Sequence, residues 1–378
     1  MNTSLNIITL NIPYPPDYGG IIDSYYRLKG LAELGIKIHL HTFKYNRQES
    51  KDLEKYCEKI FYYDRDISVF KQFSIKPFIV KSRASKELLH NLLQNDYPIL
   101  FDGLHVSHFI DHPSLKGRIK IVRAHNIEHE YYMNLAKSES NLLKKVYFVL
   151  ESFRLRRFEK ALSCAQAIAT VSTIDQTYFM QQYGNAVFIP SSHKYSEVIS
   201  KEGMGQFILY HGDLSVNENE RIVNSIIRHI APCVNFPFVI AGKNPSDKLL
   251  AAVAHLSNVQ VIANPSEERM KDCIQDAHIH LLPAIRPCGL KLKLLYGLYA
   301  GRFCLVNKEM IIGTNLESAC ELANSNEMFI EKLNVLIQER FTQTMIDRRK
   351  DLLNLYYNPQ KNALLFTELL NKKIPEKP

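Results

Sequence analysis

Short apolar runs alternate with amphipathic stretches through most of the chain. Leu5 to Asn11 is a buried-type run that reads as a strand. A loop, Pro13-Tyr14-Pro15-Pro16-Asp17-Tyr18-Gly19-Gly20, follows it, and Tyr25, Leu28, Leu31 and Leu34 then share one helical face. Gly35 ends that helix and Ile36 to Phe43 forms the next strand. Further strands are predicted at Lys59 to Tyr63, Pro98 to Phe101, Ile119 to Ala124, Gln166 to Ser172 and Ala186 to Pro190. Helices are expected at Asn141 to Cys164, with Leu142, Val146, Val149, Phe153 and Leu162 spaced for burial, and at Thr173 to Tyr183.

Residues 193–205 break the periodicity and read as a linker. The alternation then restarts, with strands at Phe207 to Tyr210, Phe238 to Ala241, Val259 to Ile262, His278 to Leu282 and Arg302 to Asn307. Helices are predicted between them at Glu218 to Ile230, at Glu267 to Gln275, and from Gly289 to about Ala300. The tail is helical, at Glu327 to Gln338, Thr342 to Tyr356 and Pro359 to Lys372. Strand–helix–strand order of this kind implies right-handed parallel crossovers. Two such runs predict an α/β protein of two doubly wound domains, 1–192 and 206–356.

Composition narrows the class. A chain of 378 residues exceeds a usual single-domain core, and 46% hydrophobic with 23% charged residues describes a globular protein. A net charge of +8 suits anionic partners but does not choose among them. The seven cysteines are scattered, odd in number and never in a CxxC pair, which points to reduced thiols in the cytoplasm without a zinc site. No basic n-region precedes the first apolar run, so a secretory leader is not expected. No stretch approaches the ~20 apolar residues that span a bilayer. Charge alone permits nucleic-acid binding, but no recognised motif supports it.

Candidate chemistry collects at strand ends. The stretch from Pro283 to Asn307 carries a Pro/Cys/Gly loop into a helix with Lys291 and Lys293 in its expected first turn. Unpaired N–H groups, the positive end of the helix dipole and two lysines favour a phosphate there, and Gly289 lets backbone approach it closely. The same pattern also fits an ordinary crossover with solvated lysines. Gly19 and Gly20 follow the first strand, where open sheets bind ligands, although two glycines also serve a plain turn. Arg123, His125, Asn126 and Glu128 end a buried strand; His125 suits proton transfer or phosphate contact, and Asn126 suits a helix cap. The basic, aromatic segment from Lys71 to Gln94 suits either an anionic membrane surface or a solvated helix face.

The PYPPDYGG loop, AHNIE, ATVS with Asp175, YHGDLSVNENE, AGKNPS and the Pro283 to Asn307 unit, in that order, resemble a family-four retaining glycosyltransferase of the GT-B type. The resemblance covers nearly the whole chain. It implies two Rossmann-like domains facing a cleft, with a last helix, about 357–378, packing back on the first. It implies transfer of a sugar, with retention, from a nucleotide-diphosphate sugar to a growing surface glycan or lipid-linked acceptor, without a metal or other cofactor. It also places the protein in the cytoplasm, at the inner face of the membrane. The sites implied are His125 for catalysis and Gly19, Gly20, Gly289, Lys291, Lys293 and Tyr296 for the donor. The departures are Cys288 and Tyr296 where the family has two glutamates, and Asp213 and Glu218 where it has an arginine and a lysine. Lys291 and Lys293 are the substitute cations, and Tyr296 would stack on the nucleotide. The alternative implied by the departures is a degenerate binding or scaffold protein that partners an active transferase.

Overall fold

The computed structural model describes residues 4–286 and 291–371. Its chain separates into two units, Met1–Lys194 with Pro359–Pro378 and Tyr195–Asn358. Unit one holds strands β1 (Ser4–Thr9), β2 (Lys37–Lys44), β3 (Lys59–Asp64), β4 (Ile99–Asp102), β5 (Lys120–Ala124), β6 (Ala167–Thr170) and β7 (Ala186–Phe188). They pair in parallel in the order β3-β2-β1-β4-β5-β6-β7. Its helices are α1 (Gly19–Glu33), α2 (Phe78–Lys81), α3 (Lys86–Leu92), α4 (Glu128–Ser138), α5 (Leu142–Glu159) and α6 (Thr173–Tyr183).

Unit two repeats the plan with β8 (Phe207–Asp213), β9 (Phe238–Lys243), β10 (Val259–Ala263), β11 (Ala277–Leu281), β12 (Phe303–Val306) and β13 (Glu321–Leu322), in the order β10-β9-β8-β11-β12-β13. Its helices are α7 (Asn217–Ser225), α8 (Asp247–Val253), α9 (Glu267–Asp276), α10 (Leu292–Ala300), α11 (Lys308–Ile311), α12 (Asn326–Leu336) and α13 (Gln343–Tyr356). The last helix, α14 (Pro359–Asn371), returns to unit one and packs on α1. Both sheets reverse direction of growth beside their first strand, at β1/β4 and β8/β11. The carboxyl ends flanking that reversal are where open α/β sheets bind ligands.

The sheets are covered on both faces, which explains the near-continuous apolar runs of their strands. Successive residues serve opposite layers: Ile7, Leu100 and Ile121 join one core of unit one, while Ile8, Phe101 and Val122 join the other.

Helix α5 departs from expectation. Leu142, Val146 and Phe153 are exposed and Val149 is half-buried, and the face turned inward is Glu151, Ser152, Leu155, Phe158 and Glu159. The apolar spacing is there, but buried Glu151 accepts from the Phe78 backbone N–H at 2.7 Å and from Arg154 at 2.8 Å. Those polar anchors choose which side faces the core.

In unit two the carboxyl end of α10 is fixed by buried polar groups. Arg349 of α13 donates to the carbonyls of Leu298 (3.2 Å), Gly301 (2.8 Å) and Arg302 (2.6 Å). These are the unsatisfied acceptors every helix end leaves. Beside them His280, wholly buried, contacts the Ile274 carbonyl at 3.1 Å. A Cβ on Gly301 would lie 1.9 Å from His280 Nε2. Gly301→Ala must therefore displace the imidazole or the helix end. The expected cost is about 1–3 kcal/mol, read as a lower denaturation midpoint by circular dichroism.

Candidate functional site

Unit one builds a buried ionic cluster at its sheet reversal. The register aligns Thr9 of β1, Asp102 of β4 and Arg123 of β5 in one row at the carboxyl ends. Helix α1 contributes Asp23 and Arg27, which share a face because they are four residues apart. Arg27 reaches Asp23 at 2.6 Å and Asp102 at 2.5 Å, and Arg123 reaches Asp23 at 2.9 and 3.2 Å. The Ser192 backbone N–H donates to Asp23 at 2.6 Å, and Ser24 Oγ donates to Asp102. Two carboxylates and two guanidiniums, all almost fully buried, leave the cluster neutral in sum.

Burial alone would raise both carboxyl pKa values. Arg123 and Arg27 outweigh it at Asp23, and Arg27 and His125 outweigh it at Asp102, so both stay below the ordinary carboxylate range. Arg27 is lowered by burial but raised further by Asp102 and Asp23, ending above its usual value. Phe366 of α14 lies over both guanidiniums, 5.6 Å from Arg27 and 5.7 Å from Arg123.

His125 stands two residues beyond Arg123 with one edge exposed. Its Nε2 is 2.9 Å from Asp102 Oδ1, and its Nδ1 is 3.7 Å from Asp23. Asp102 thereby fixes the ring plane, which is how a carboxylate orients a working histidine. Ligand atoms of Asp23, Asp102 and His125 all lie within 4.8 Å of one another. Because both carboxylates already neutralise guanidiniums, the cluster balances its charge without a cation. Asn126 does not cap the following helix: the N-cap of α4 is Ile127, without a side-chain cap bond.

The Pro13–Gly20 loop runs from β1 into α1. Arg47 holds it through the Pro15 carbonyl at 2.7 Å, the Asp17 carboxylate and the Tyr18 ring. Tyr18 is the N-cap of α1 and makes no side-chain cap bond, and no acid lies in the first turn. The space where a Gly19 side chain would stand is open. The N-terminus of α1 therefore keeps its free donors and its positive end accessible.

Unit two centres on Lys293. Helix α10 begins at Leu292, so Lys291 is its N-cap and only Lys293 falls in the first turn. That corrects the expected start at Gly289, which lies outside the described residues together with Cys288. The N-cap side chain makes no capping bond and no acid occupies the first turn. Half-buried Lys293 donates to Tyr210 Oη and Asn219 Oδ1, each at 3.0 Å, and lies 4.6 Å from the centre of the Tyr210 ring. Burial lowers its pKa to about 7, Lys291 adds to the fall and Glu218 opposes it. Lys291, whose backbone is extended at the N-cap, instead reaches the Arg286 carbonyl at 2.8 Å.

The two acids that replace the expected cations are engaged locally. Asp213 accepts from the Ser215 N–H at 3.0 Å and from its hydroxyl at 2.6 Å, and Glu218 accepts from the Ile285 N–H at 3.1 Å. Tyr296 packs edge-on against Tyr195, 5.5 Å between ring centres. The structure thus brings Lys291, Lys293 and Tyr296 onto one helix of unit two, and His125, Gly19 and Gly20 to one sheet end of unit one.

The sequence reading passed over Asp23, Arg27 and Asp102. The local signal was an acid and an arginine four apart, but α1 carries a second such pair, Lys29 and Glu33, at its exposed end. Removing Asp23 strands the buried guanidinium of Arg123 and leaves Arg27 with Asp102 alone, so Asp23→Ala should cost about 3–5 kcal/mol, measured by chemical denaturation.

No family model matches the chain. A protein of Klebsiella pneumoniae described as an uncharacterized 44.6 kDa protein in the cps region is 23% identical over 355 residues, covering 86% of this chain and 89% of its own length. Among solved structures, sucrose-phosphate synthase from Thermosynechococcus elongatus aligns with a TM-score of 0.69 at 12% identity, covering 97% of this chain and 98% of its own. Anabaena Alr3699/HepE, crystallised with UDP and glucose, gives 0.66 at 11%, covering 98% and 99%. TarM gives 0.67 at 10%, with the same coverage. With these likenesses the two parallel-sheet units are the fold of GT-B glycosyltransferases.

Proposed function

We propose that the chain is a glycosyltransferase that moves a sugar from a nucleotide-diphosphate sugar to a growing surface glycan or a lipid-linked acceptor, with retention. The observation that carries this reading is Lys293, a half-buried cation in the first turn of an uncapped helix beside the β8/β11 reversal. In sugar transfer, negative charge grows on the departing diphosphate, and fixed donors aimed at it lower the barrier most. The α10 N-terminus, Lys293 and Lys291 supply such donors, with Gly289 and the Gly19-Gly20 backbone as further proposed contacts. Tyr296 is the aromatic surface proposed for the nucleotide, and His125 the group that meets the sugar or a phosphate. The solved neighbour crystallised with UDP and glucose and the cps-region relative support the same class of chemistry. Because Asp213 and Glu218 are turned onto local N–H and hydroxyl donors, their charge is partly spent before a diphosphate arrives. That favours a working donor site over a degenerate one.

The test is calorimetry with a panel of nucleotide sugars. Lys293→Met should weaken the cognate donor about ten- to a hundredfold, the worth of one charge-assisted phosphate contact. Binding should also depend on pH. Below about pH 7 the ammonium is already formed in the free protein. As pH rises above that value binding must take up a proton, and affinity falls by up to about tenfold per pH unit until the bound-state pKa is passed. A nucleotide sugar has no terminal phosphate monoester, so Lys293→Arg should flatten the profile. A complete panel without binding would overturn the reading in favour of a relative that turns nothing over.

His125→Ala should reduce turnover by about a hundredfold, the order seen for loss of one preorganised donor, while nucleotide affinity changes less. The comparison of turnover with calorimetric affinity checks it. Full turnover in the variant would make His125 a structural residue.

A further inference from the structure

Helix α5 turns a continuous apolar stripe to solvent: Leu142, Leu143, Val146, Leu150 and Phe153, with Leu143 82% and Leu142 72% exposed. The spacing places all five on the side opposite Leu155 and Phe158. A second exposed apolar group lies on the segment before α2, where Phe70 is 89%, Phe73 82% and Ile75 78% exposed, with Ile67 also outward. The chain just after this second group packs on the inward side of α5. The Phe78 N–H donates to Glu151 of α5 at 2.7 Å, Lys76 Nζ lies 5.3 Å from the Phe158 ring, and Arg65 stacks on Phe78.

The charge around these groups has one dominant sign. Lys144, Lys145, Arg156, Arg157 and Lys160 are exposed along α5 and just beyond it. The acids of the same stretch, Glu151 and Glu159, are buried and bonded inward, Glu159 to His129, Tyr178 and Tyr183. From Ile67 to Lys86 the sequence has Lys71, Lys76, Lys81 and Lys86 besides the buried Arg83, and no acid at all. Asp66 and Asp111, at the margin, pair with Lys71 (2.6 Å) and Lys76 (3.8 Å).

We propose that these two exposed apolar groups of unit one dock on an anionic lipid surface. The leucines and phenylalanines enter the boundary between headgroups and acyl chains, and the lysines and arginines meet the headgroups. A fluid interface asks for no shape complement, which suits protruding aromatic and aliphatic side chains ringed by long, mobile cations. An exposed apolar stripe like that of α5 is unusual on a free surface. Each cation near an anionic membrane adds to binding, and salt removes that contribution. Among the described residues no helix is long and apolar enough to cross a membrane, so the contact is peripheral. The proposal stands apart from the sugar chemistry, because docking requires no nucleotide.

The experiment is co-sedimentation of the full chain, without nucleotide, on phosphatidylcholine vesicles with and without phosphatidylglycerol, at low and high salt. Binding is expected on the anionic vesicles and should fall as salt rises. The double variant Phe73→Ser/Leu143→Ser should lower partitioning by at least about tenfold. Its melting midpoint should stay where it is, since both side chains are already in water. Lys144→Gln/Lys145→Gln should weaken binding at low salt and lose its effect at high salt. Absence of binding to anionic vesicles at low salt would overturn the proposal. So would equal binding by the apolar double variant, or self-association by light scattering through these groups without vesicle binding.

Discussion

Unit one depends on four charges that have left water together. Taking any one of Asp23, Arg27, Asp102 or Arg123 into the interior alone costs several kcal/mol. As a set, with Ser24, Ser192 and backbone carbonyls adding hydrogen bonds, the four neutralise one another, although Arg27 Nε is left without a hydrogen-bond partner. The set joins α1 to the ends of β4 and β5, and its outer edge holds the imidazole of His125. Precise orientation of that ring is therefore a by-product of core electrostatics, which makes the position rigid before any substrate arrives.

The equivalent place in unit two is arranged on the opposite principle. Among the described residues Lys293 has hydrogen-bond acceptors in Tyr210 and Asn219 but no carboxylate in contact, and burial, with Lys291 beside it, lowers its pKa. One sheet reversal is electrically complete. The other, among the described residues, leaves its lysine without a paired carboxylate.

How much of this was legible follows from the range of the interactions involved. The strands and the two-unit plan were readable because burial on both faces writes itself as local apolar runs, and Gly35, Gly184 and the Pro13–Gly20 loop mark their ends. The lysines at the start of α10 were readable because a helix terminus is a local signal, although the start itself shifted by two to three residues. The face of α5 was misassigned because apolar spacing defines a stripe without saying which way it turns; Glu151, bonded to a residue 73 positions away, decided that. The ionic cluster was hidden for the same reason, since Arg123 and Asp23 are 100 positions apart.

Phe366 belongs to a helix that lies beyond all of unit two in the chain, yet it covers Arg27 and Arg123. During synthesis, residues 195–358 emerge as an unbroken segment carrying every strand of their own sheet. Residues 4–194 must wait for α14 before their guanidiniums are shielded from water. The unit made first is thus the one completed last, because its two guanidiniums gain their aromatic cover only when α14 arrives.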